Sequence, residues 1–562
     1  MKSDMPKSSG AGIRLSIDPV SRIHGPLRLE ARIEQGVTQE IWLSAQMWRA
    51  MESTLRGHDP LTAWLTAQRV CGECTTTHAI ASVRAVEQAL ALTIPDNAQR
   101  VRNLMLCAHA LHNHIGHFYQ RSLLDWVEVP AALYANPQRT AQFAESLGSW
   151  PHNSRHTMET VQQRLRTLLA DGRGPFASGH WQHPAMQLPP ELNLLAMTHY
   201  FQSLEAQQQA AAITATCGGK APHIQNLAVG GIANPISATG PTPINLPQLL
   251  ALEPTLTALE HFVKEVYLTD VALLAAFYPE WSQRGSGSGH YLALPELPYT
   301  AEGASRFTLP GGYYRSDQPN RYRPILSQHD PYFNGGVIEA THHTWLHPSQ
   351  LRHPWVGEGQ PDFNGFQPEA GYSWVKAPSF YGQRVEVGPL AGLLLLLTDQ
   401  HPQAHHYLNR SLDQIRSLSA TPDLSSAMLH STLGRHLARA IRSALLVDAL
   451  RHEWQALVDN IIRGDQLGFI PPTLPSGERR GMGCHEAPGG ALAHWITIDK
   501  GRIRNYQIVA PATWNASPRD QHGQPGPCES ALTNHPVSNH DHPLELLRTL
   551  HAFDPCMVCA AQ

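Results

Sequence analysis

Residues 69–90 read RVCGECTTTHAIASVRAVEQAL. Directly after Cys71-Gly-Glu-Cys74, the apolar residues Ile80, Val83, Val86 and Leu90 recur at helical spacing. That spacing predicts a helix starting at the second cysteine. The exposed N–H groups and positive dipole end of such a helix favour ionised thiols. A second pair, Cys556 and Cys559 in FDPCMVCAAQ, stands at the other end of the chain. Four thiolates make a soft-metal site, so whatever binds between the pairs ties the C-terminal end to the N-terminal region. Zinc ribbons place their pairs within about 20 residues of each other. A redox dithiol would need a βαβ context and would leave the second pair unexplained. Structural zinc, redox chemistry and two unrelated buried pairs remain open on spacing alone.

The surroundings of these pairs read as one continuous body. Residues 13–45 alternate apolar and polar, as in LRLEARIE, and predict a small antiparallel sheet. From about 46 to 128 the period is helical. Further helices are expected at 155–170, 190–216, 245–280, 386–417 and 424–463. The Gly/Pro/aromatic stretch 281–385 reads as short strands and long loops. The last hundred residues look irregular, with strand patterns at 493–498 and 503–509. The expected class is α+β and mainly helical. It comprises a single large domain (13–562) with a central long-helix bundle, the N-terminal sheet and irregular peripheral strands. Residues 1–12, rich in Ser, Gly and Lys, are expected to be a disordered tail.

Composition excludes several functions. A formal charge of −4 gives no electrostatic basis for a nucleic-acid partner. The start, MKSDMPKSSGAG, lacks the apolar core of a secretory signal. The longest apolar run, GPLAGLLLLL, is far shorter than the roughly 20 residues of a membrane span. A soluble protein is expected. Cys107, Cys217, Cys484 and Cys528 are singly spaced, suit buried small hydrophobes, and make a poor iron–sulfur ligand set.

The blocks flanking the cysteines resemble the nickel–iron hydrogenase large subunit. The likeness is carried by DPVSRIHGPLRLE (18–30), MESTLRGHDPLTAW (51–64), HNHIGHFYQRSLLDW (112–126) and GGKAPHIQNLAVGG (218–231). It continues in HPWVGE (353–358), YSWVKAP (372–378), VEVGPLA (385–391), EAPGGALAHW (486–495) and NYQIVAPATWN (505–515). The resemblance implies that Cys71 and Cys556 are terminal nickel ligands. Cys74 and Cys559 would bridge nickel to an iron carrying carbon monoxide and two cyanides. It also implies a magnesium (or second iron) site with Glu52, the carbonyl of Ile508 and Gln562. The implied chemistry is heterolytic cleavage of dihydrogen, a nearby base taking the proton. Electrons would pass to an iron–sulfur small subunit, in a heterodimer or a dimer of heterodimers. Maturation proteins are implied for assembly. The compartment is cytoplasmic, or periplasmic and membrane-associated if the small subunit carries the export signal.

The chain departs from the family around the metals. The usual R-I-E-G, whose Glu relays protons, is Arg22-Ile23-His24-Gly25. The usual A-P-R-G, whose Arg overhangs the open metal position, is Ala487-Pro488-Gly489-Gly490. The hydroxyl residue that holds a cyanide is Ala512, and the Asp of H-D-H is Asn113. Arginines of the family are replaced by Ser379 and Gly392, and the terminal His by Gln562. Asp554 is kept. A His at position 24 can still move protons near neutral pH, with an altered pH dependence. Cys556 offers another proton exit. The rewritten surroundings leave two alternatives to turnover: a hydrogen-sensing or catalytically impaired paralogue, and a maturation scaffold for the iron fragment.

Overall fold

The computed structural model describes residues 12–172, 174–176, 179–301, 304–357, 359–419 and 425–561. The expected tail, apart from Gly12, lies outside the described residues, and so does Gln562. Strands β1 (Ile13–Ile17), β2 (Leu27–Glu34) and β3 (Val37–Ala45) form the expected N-terminal antiparallel sheet, in that order. Leu27, Leu29, Ala31 and Ile33 alternate along β2 and are all buried. β3 is covered by the C-terminal part of the chain. Thr38 N donates to His535 O (2.9 Å), Asn534 N to Thr38 O (2.9 Å) and Val537 N to Gly36 O (2.8 Å). Pairing of this kind removes an exposed edge and fixes the late segment against the early one.

Helix α1 (Thr75–Ala89) starts at the second cysteine, as its apolar spacing requires, and every residue except Gln88 is buried. A helix buried all round belongs in a core. It rests on an antiparallel sheet of β4 (Arg479–Ala487), β5 (Gly490–Asp499) and β6 (Arg502–Val509). A Cβ at Gly481 or Gly483 would stand 2.0 Å from the carbonyl oxygen of Ala85 or Ala81. Those glycines let the helix backbone lie directly on the strand. The long helices α2 (Asp96–Gly116), α3 (Pro190–Gly218) and α4 (Thr432–Ile462) pack beside it as the expected bundle. One apolar core runs through these helices, and a second lies under the N-terminal sheet; Cys556 packs against both.

The helical reading of 386–417 needs correction. The segment forms two helices, Pro389–Thr398 and Pro402–Leu418. Pro402 lacks an N–H and disfavours helical backbone just before it, and Gln400 adopts a φ of 59°. The stretch 46–128 is likewise divided, its main helices being α1 and α2. The last hundred residues are more regular than their sequence suggests. They contain β4, masked by its glycines, and helix α5 (Leu544–Ala552).

Candidate metal centre

α1 carries Cys74 at its N-cap, and Cys71 lies in the short loop before it. Cys556 and Cys559 lie just beyond α5. Their segment is held by Met557 N, which donates to His24 O (2.7 Å) in a parallel bridge between His24 and Cys556. Gly25 makes this approach possible. It adopts a φ of +85°, and a Cβ there would stand 3.1 Å from Val558 N. Folding thus brings residues from both ends of the sequence to one point.

At that point the four sulfur atoms all lie within 4.8 Å of one another. Cys71 Sγ is 3.6 Å from Cys556 Sγ, Cys74 Sγ is 2.9 Å from Cys559 Sγ, and Cys556 Sγ is 3.0 Å from Cys559 Sγ. All four are free thiols and largely buried. Cys71 Sγ also accepts the N–H groups of Glu73 and Cys74, both at 3.3 Å. Hydrogen bonds from Cys556, Cys559 and Cys74 hold the Cys71 thiol well below its ordinary pKa. The cluster fits soft divalent metals: sulfur at about 2.3 Å from a shared ion leaves S···S distances of this size. Among the described residues, no other group of histidine, cysteine and carboxylate side chains converges in this way. Cys107, Cys217, Cys484 and Cys528 are each fully buried, as expected of small hydrophobes.

Beside the thiols lies a charged network in which the expected His24 and Asp554 are joined by Glu73, Arg121 and Arg439, which the sequence reading did not single out. Glu73, between the first two cysteines, contacts the His24 imidazole and the Arg121 guanidinium. Arg121 Nη1 lies 2.7 Å from His24 Nε2, and Arg121 Nη2 lies 3.4 Å from Asp554 Oδ1. Arg121 issues from a wide π-turn, His117–Ser122, that continues α2. Such turns re-aim side chains and recur at functional sites. On its other side Asp554 meets Arg439 Nη1 (3.2 Å), which also reaches Pro488 O (3.3 Å) and His114 Nδ1 (3.0 Å). Burial opposes ionisation of Asp554, but His117, Arg121 and Arg439 hold its pKa well below the carboxylate range. The network opens on a cavity of about 370 Å³ lined by His24, Gly72, Glu73, Thr76, His109 and His112, among others. A carboxylate between two cysteines was the available signal for Glu73. Arg121 and Arg439 gave none, because the π-turn and helix packing that aim them are tertiary.

Comparison with known proteins settles the lineage. The family described as nickel-dependent hydrogenase matches residues 49–562. The chain belongs to that family. The hydrogenase-2 large chain of Escherichia coli K12 is 46% identical over 549 residues, covering 97% of this chain and 96% of that one. The uptake hydrogenase large subunit of Bradyrhizobium diazoefficiens is 38% identical over 579 residues, covering 98% and 95%. The nickel–iron–selenium hydrogenase of Desulfovibrio vulgaris Hildenborough superimposes with a TM-score of 0.79 at 28% identity, over 98% of this chain and 100% of that one.

The remaining expected residues of this hydrogenase chain fall into two groups. Pro488 joins the charged network through its carbonyl, which accepts from Arg439 Nη1, and a Cβ at the following Gly489 would stand 3.3 Å from Pro511 Cβ. Ala512 is buried in the core beneath the N-terminal sheet, alongside Ala560 and Ala561. Asn113 turns inward to its own helix, donating from Nδ2 to His109 O (2.8 Å). Elsewhere, Glu52 is fully buried. It accepts the N–H of Ile508 (2.8 Å), so the amide of Ile508, rather than its carbonyl, meets this carboxylate. Lys376 Nζ joins Glu52 (2.9 Å) to a second buried carboxylate, Glu339 (3.0 Å). Beyond that ion pair Glu339 makes no hydrogen bond, and the buried Arg352 stands opposite it on the neighbouring strand. Buried carboxylate oxygens are donors of the kind a hard divalent cation takes. Glu339, inside the apolar strand Val337–Ala340, was also missed.

Proposed function

We propose that this chain is the large subunit of a hydrogen-oxidising nickel–iron hydrogenase. The observation that carries the reading is the convergence of four thiols, two buried and two half-buried, from both ends of the chain within 4.8 Å. Cys71 and Cys556 would be the terminal nickel ligands, with Cys74 and Cys559 shared with an iron that carries carbon monoxide and two cyanides. Bound there, the centre supplies heterolytic cleavage of dihydrogen. The chain's own side chains then handle charge and protons. Arg121 and Arg439 keep Asp554 ionised beside the thiols. His24 and Glu73 stand at the cavity, where an imidazole–carboxylate pair can carry a proton outward. The carboxylate that the family motif places at position 24 thus has a counterpart one loop away. This rearrangement favours turnover over a sensing or scaffold role.

A magnesium-type cation would take the buried carboxylates of Glu52 and Glu339 as ligands, and the family resemblance adds Gln562 to that set. Electrons would leave to an iron–sulfur small subunit. Two observations support this: the relatives are named as large chains, and the described residues offer no second cluster of metal-ligating side chains. No helix among the described residues is long and apolar enough to cross a membrane. The test is infrared spectroscopy and hydrogen-dependent dye reduction on the purified complex. Carbonyl and cyanide bands with dye reduction support the assignment. Bands without dye reduction indicate the sensing paralogue, and their absence removes the iron assignment.

A further inference from the structure

We infer that Arg442, backed by Glu296, is a positioning residue for the turn at Pro488 and Gly489, clamping its backbone in place beside the thiol centre. The inference rests on the hydrogenase reading and deepens it, because the family resemblance sets this turn over the open metal position.

The turn carries little that would fix it from within. Ala487 pairs with Gly490, so Pro488 and Gly489 form the tight connection between β4 and β5. The arginine side chain of the family motif is absent at Gly489, and two adjacent glycines leave the backbone wide conformational freedom. Gly490 adopts a φ of +128°, and a Cβ there would stand 2.5 Å from Gly388 N. A side chain at that position therefore cannot supply the missing restraint. It has to come from outside the hairpin.

α4 supplies it. Arg442 is buried, and its guanidinium meets the carbonyls of three consecutive residues. Nη2 donates to Glu486 O (3.0 Å), while Nη1 donates to Ala487 O (3.1 Å) and Pro488 O (3.4 Å). One planar group thus spans the end of β4 and the first residue of the turn. Glu296 takes the remaining edge as a bidentate partner, accepting from Nε (3.0 Å) and Nη2 (2.8 Å). Such a fork fixes the plane of the guanidinium, and with it the direction of the donors that face the backbone. Nη1 also lies 3.4 Å from His114 Nε2.

Two neighbours complete the arrangement. Arg439, three residues earlier on α4, adds a second donor to Pro488 O (3.3 Å) and joins it to Asp554 (3.2 Å). The Glu486 side chain stays apart from the clamp. Its Oε2 accepts Leu294 N–H (2.8 Å), its Oε1 is buried without a partner, and burial holds its pKa well above the usual carboxylate range. A neutral Glu486 leaves the guanidinium to Glu296 and the carbonyls.

Arg442→Lys keeps the charge but cannot hold Glu296 and the three carbonyls at once. In the metal-loaded complex it is expected to shift or broaden the carbonyl and cyanide infrared bands. Hydrogen-dependent dye reduction should fall about tenfold, with the loss in kcat. Glu296→Gln, which loosens the plane of the guanidinium, should act in the same direction to a smaller degree. Arg102→Lys is the control, since Arg102 is also buried, pairs with Glu87 and holds the carbonyls of Ala228 and Gly231. It should lower stability and leave the bands unmoved. Hydrogen–deuterium exchange over residues 486–490 of the complex, with or without its metals, should quicken in Arg442→Lys and not in Arg102→Lys.

Wild-type bands in Arg442→Lys, or exchange no faster than in the wild type, would overturn the clamp. Band shifts as large in Arg102→Lys would also overturn it, by showing a merely structural effect. If Arg442→Lys does not accumulate, the same readings on Glu296→Gln decide. A wild-type complex without carbonyl and cyanide bands would count against the hydrogenase reading instead, while the exchange measurement still decides the clamp.

Discussion

Glu73 pairs with His24 at the mouth of the cavity beside the four thiols, and Arg121 contacts both. The pair reverses the charge arrangement that the surrounding sequence blocks lead one to expect. An imidazole occupies the early loop, and a carboxylate sits between the first two cysteines.

Restoring the family's carboxylate alone is therefore expected to be harmful. His24→Glu would set two carboxylates against one guanidinium in a partly buried site, where like charges repel. Hydrogen-dependent dye reduction is expected to fall about tenfold, within the range for a disturbed general acid–base group. Adding Glu73→Val should recover most of the loss. Higher turnover in His24→Glu alone would show that Glu73 plays no part.

Lys376 bridges two buried carboxylates. Lys376→Met leaves Glu52 and Glu339 uncompensated, and breaking a buried pair costs about 3–5 kcal/mol. Unfolding by urea should show the loss, and millimolar magnesium should restore part of it. If magnesium gives no rescue, the carboxylates do not form a cation site.

Much of this was legible in the sequence, because the cysteine pairs and the period of α1 are local signals. The four thiols meet as the family resemblance implied, and the N-terminal sheet and long helices follow their patterns. What stayed hidden depends on tertiary placement. β4 loses its alternation at Gly481 and Gly483 because those positions admit a helix backbone, a demand no local pattern records. Arg121 is aimed by a π-turn, and Glu339 reads as a stray polar residue until the fold sets it beside Lys376.

The same glycines give a stability prediction. Gly483→Ala would place a methyl group 2.0 Å from Ala81 O, so helix and strand must separate. Overpacking of this kind costs about 1–3 kcal/mol. A lower urea midpoint with an unchanged slope is expected; wild-type stability would mean that α1 and β4 can slide apart freely.

Buried neutral histidines set an acid limit. Burial lowers the pKa of His436 to about 3 and of His535 to about 4. Below the unfolded value of about 6.5, the unfolded chain binds protons that the folded chain refuses. Their contribution is full above about pH 6.5 and is lost as pH falls from there toward the folded pKa values, by about 1.4 kcal/mol per pH unit for each ring. His436→Phe should flatten the fall of stability with acid. An unchanged slope would show that His436 is already protonated in the fold.

The central assignment is tested most directly by nickel X-ray absorption on the purified complex. A nickel edge with sulfur neighbours at about 2.3 Å and an iron scatterer, both lost in Cys71→Ser, is the expected result. Zinc in place of nickel, or nickel without sulfur neighbours, would contradict it.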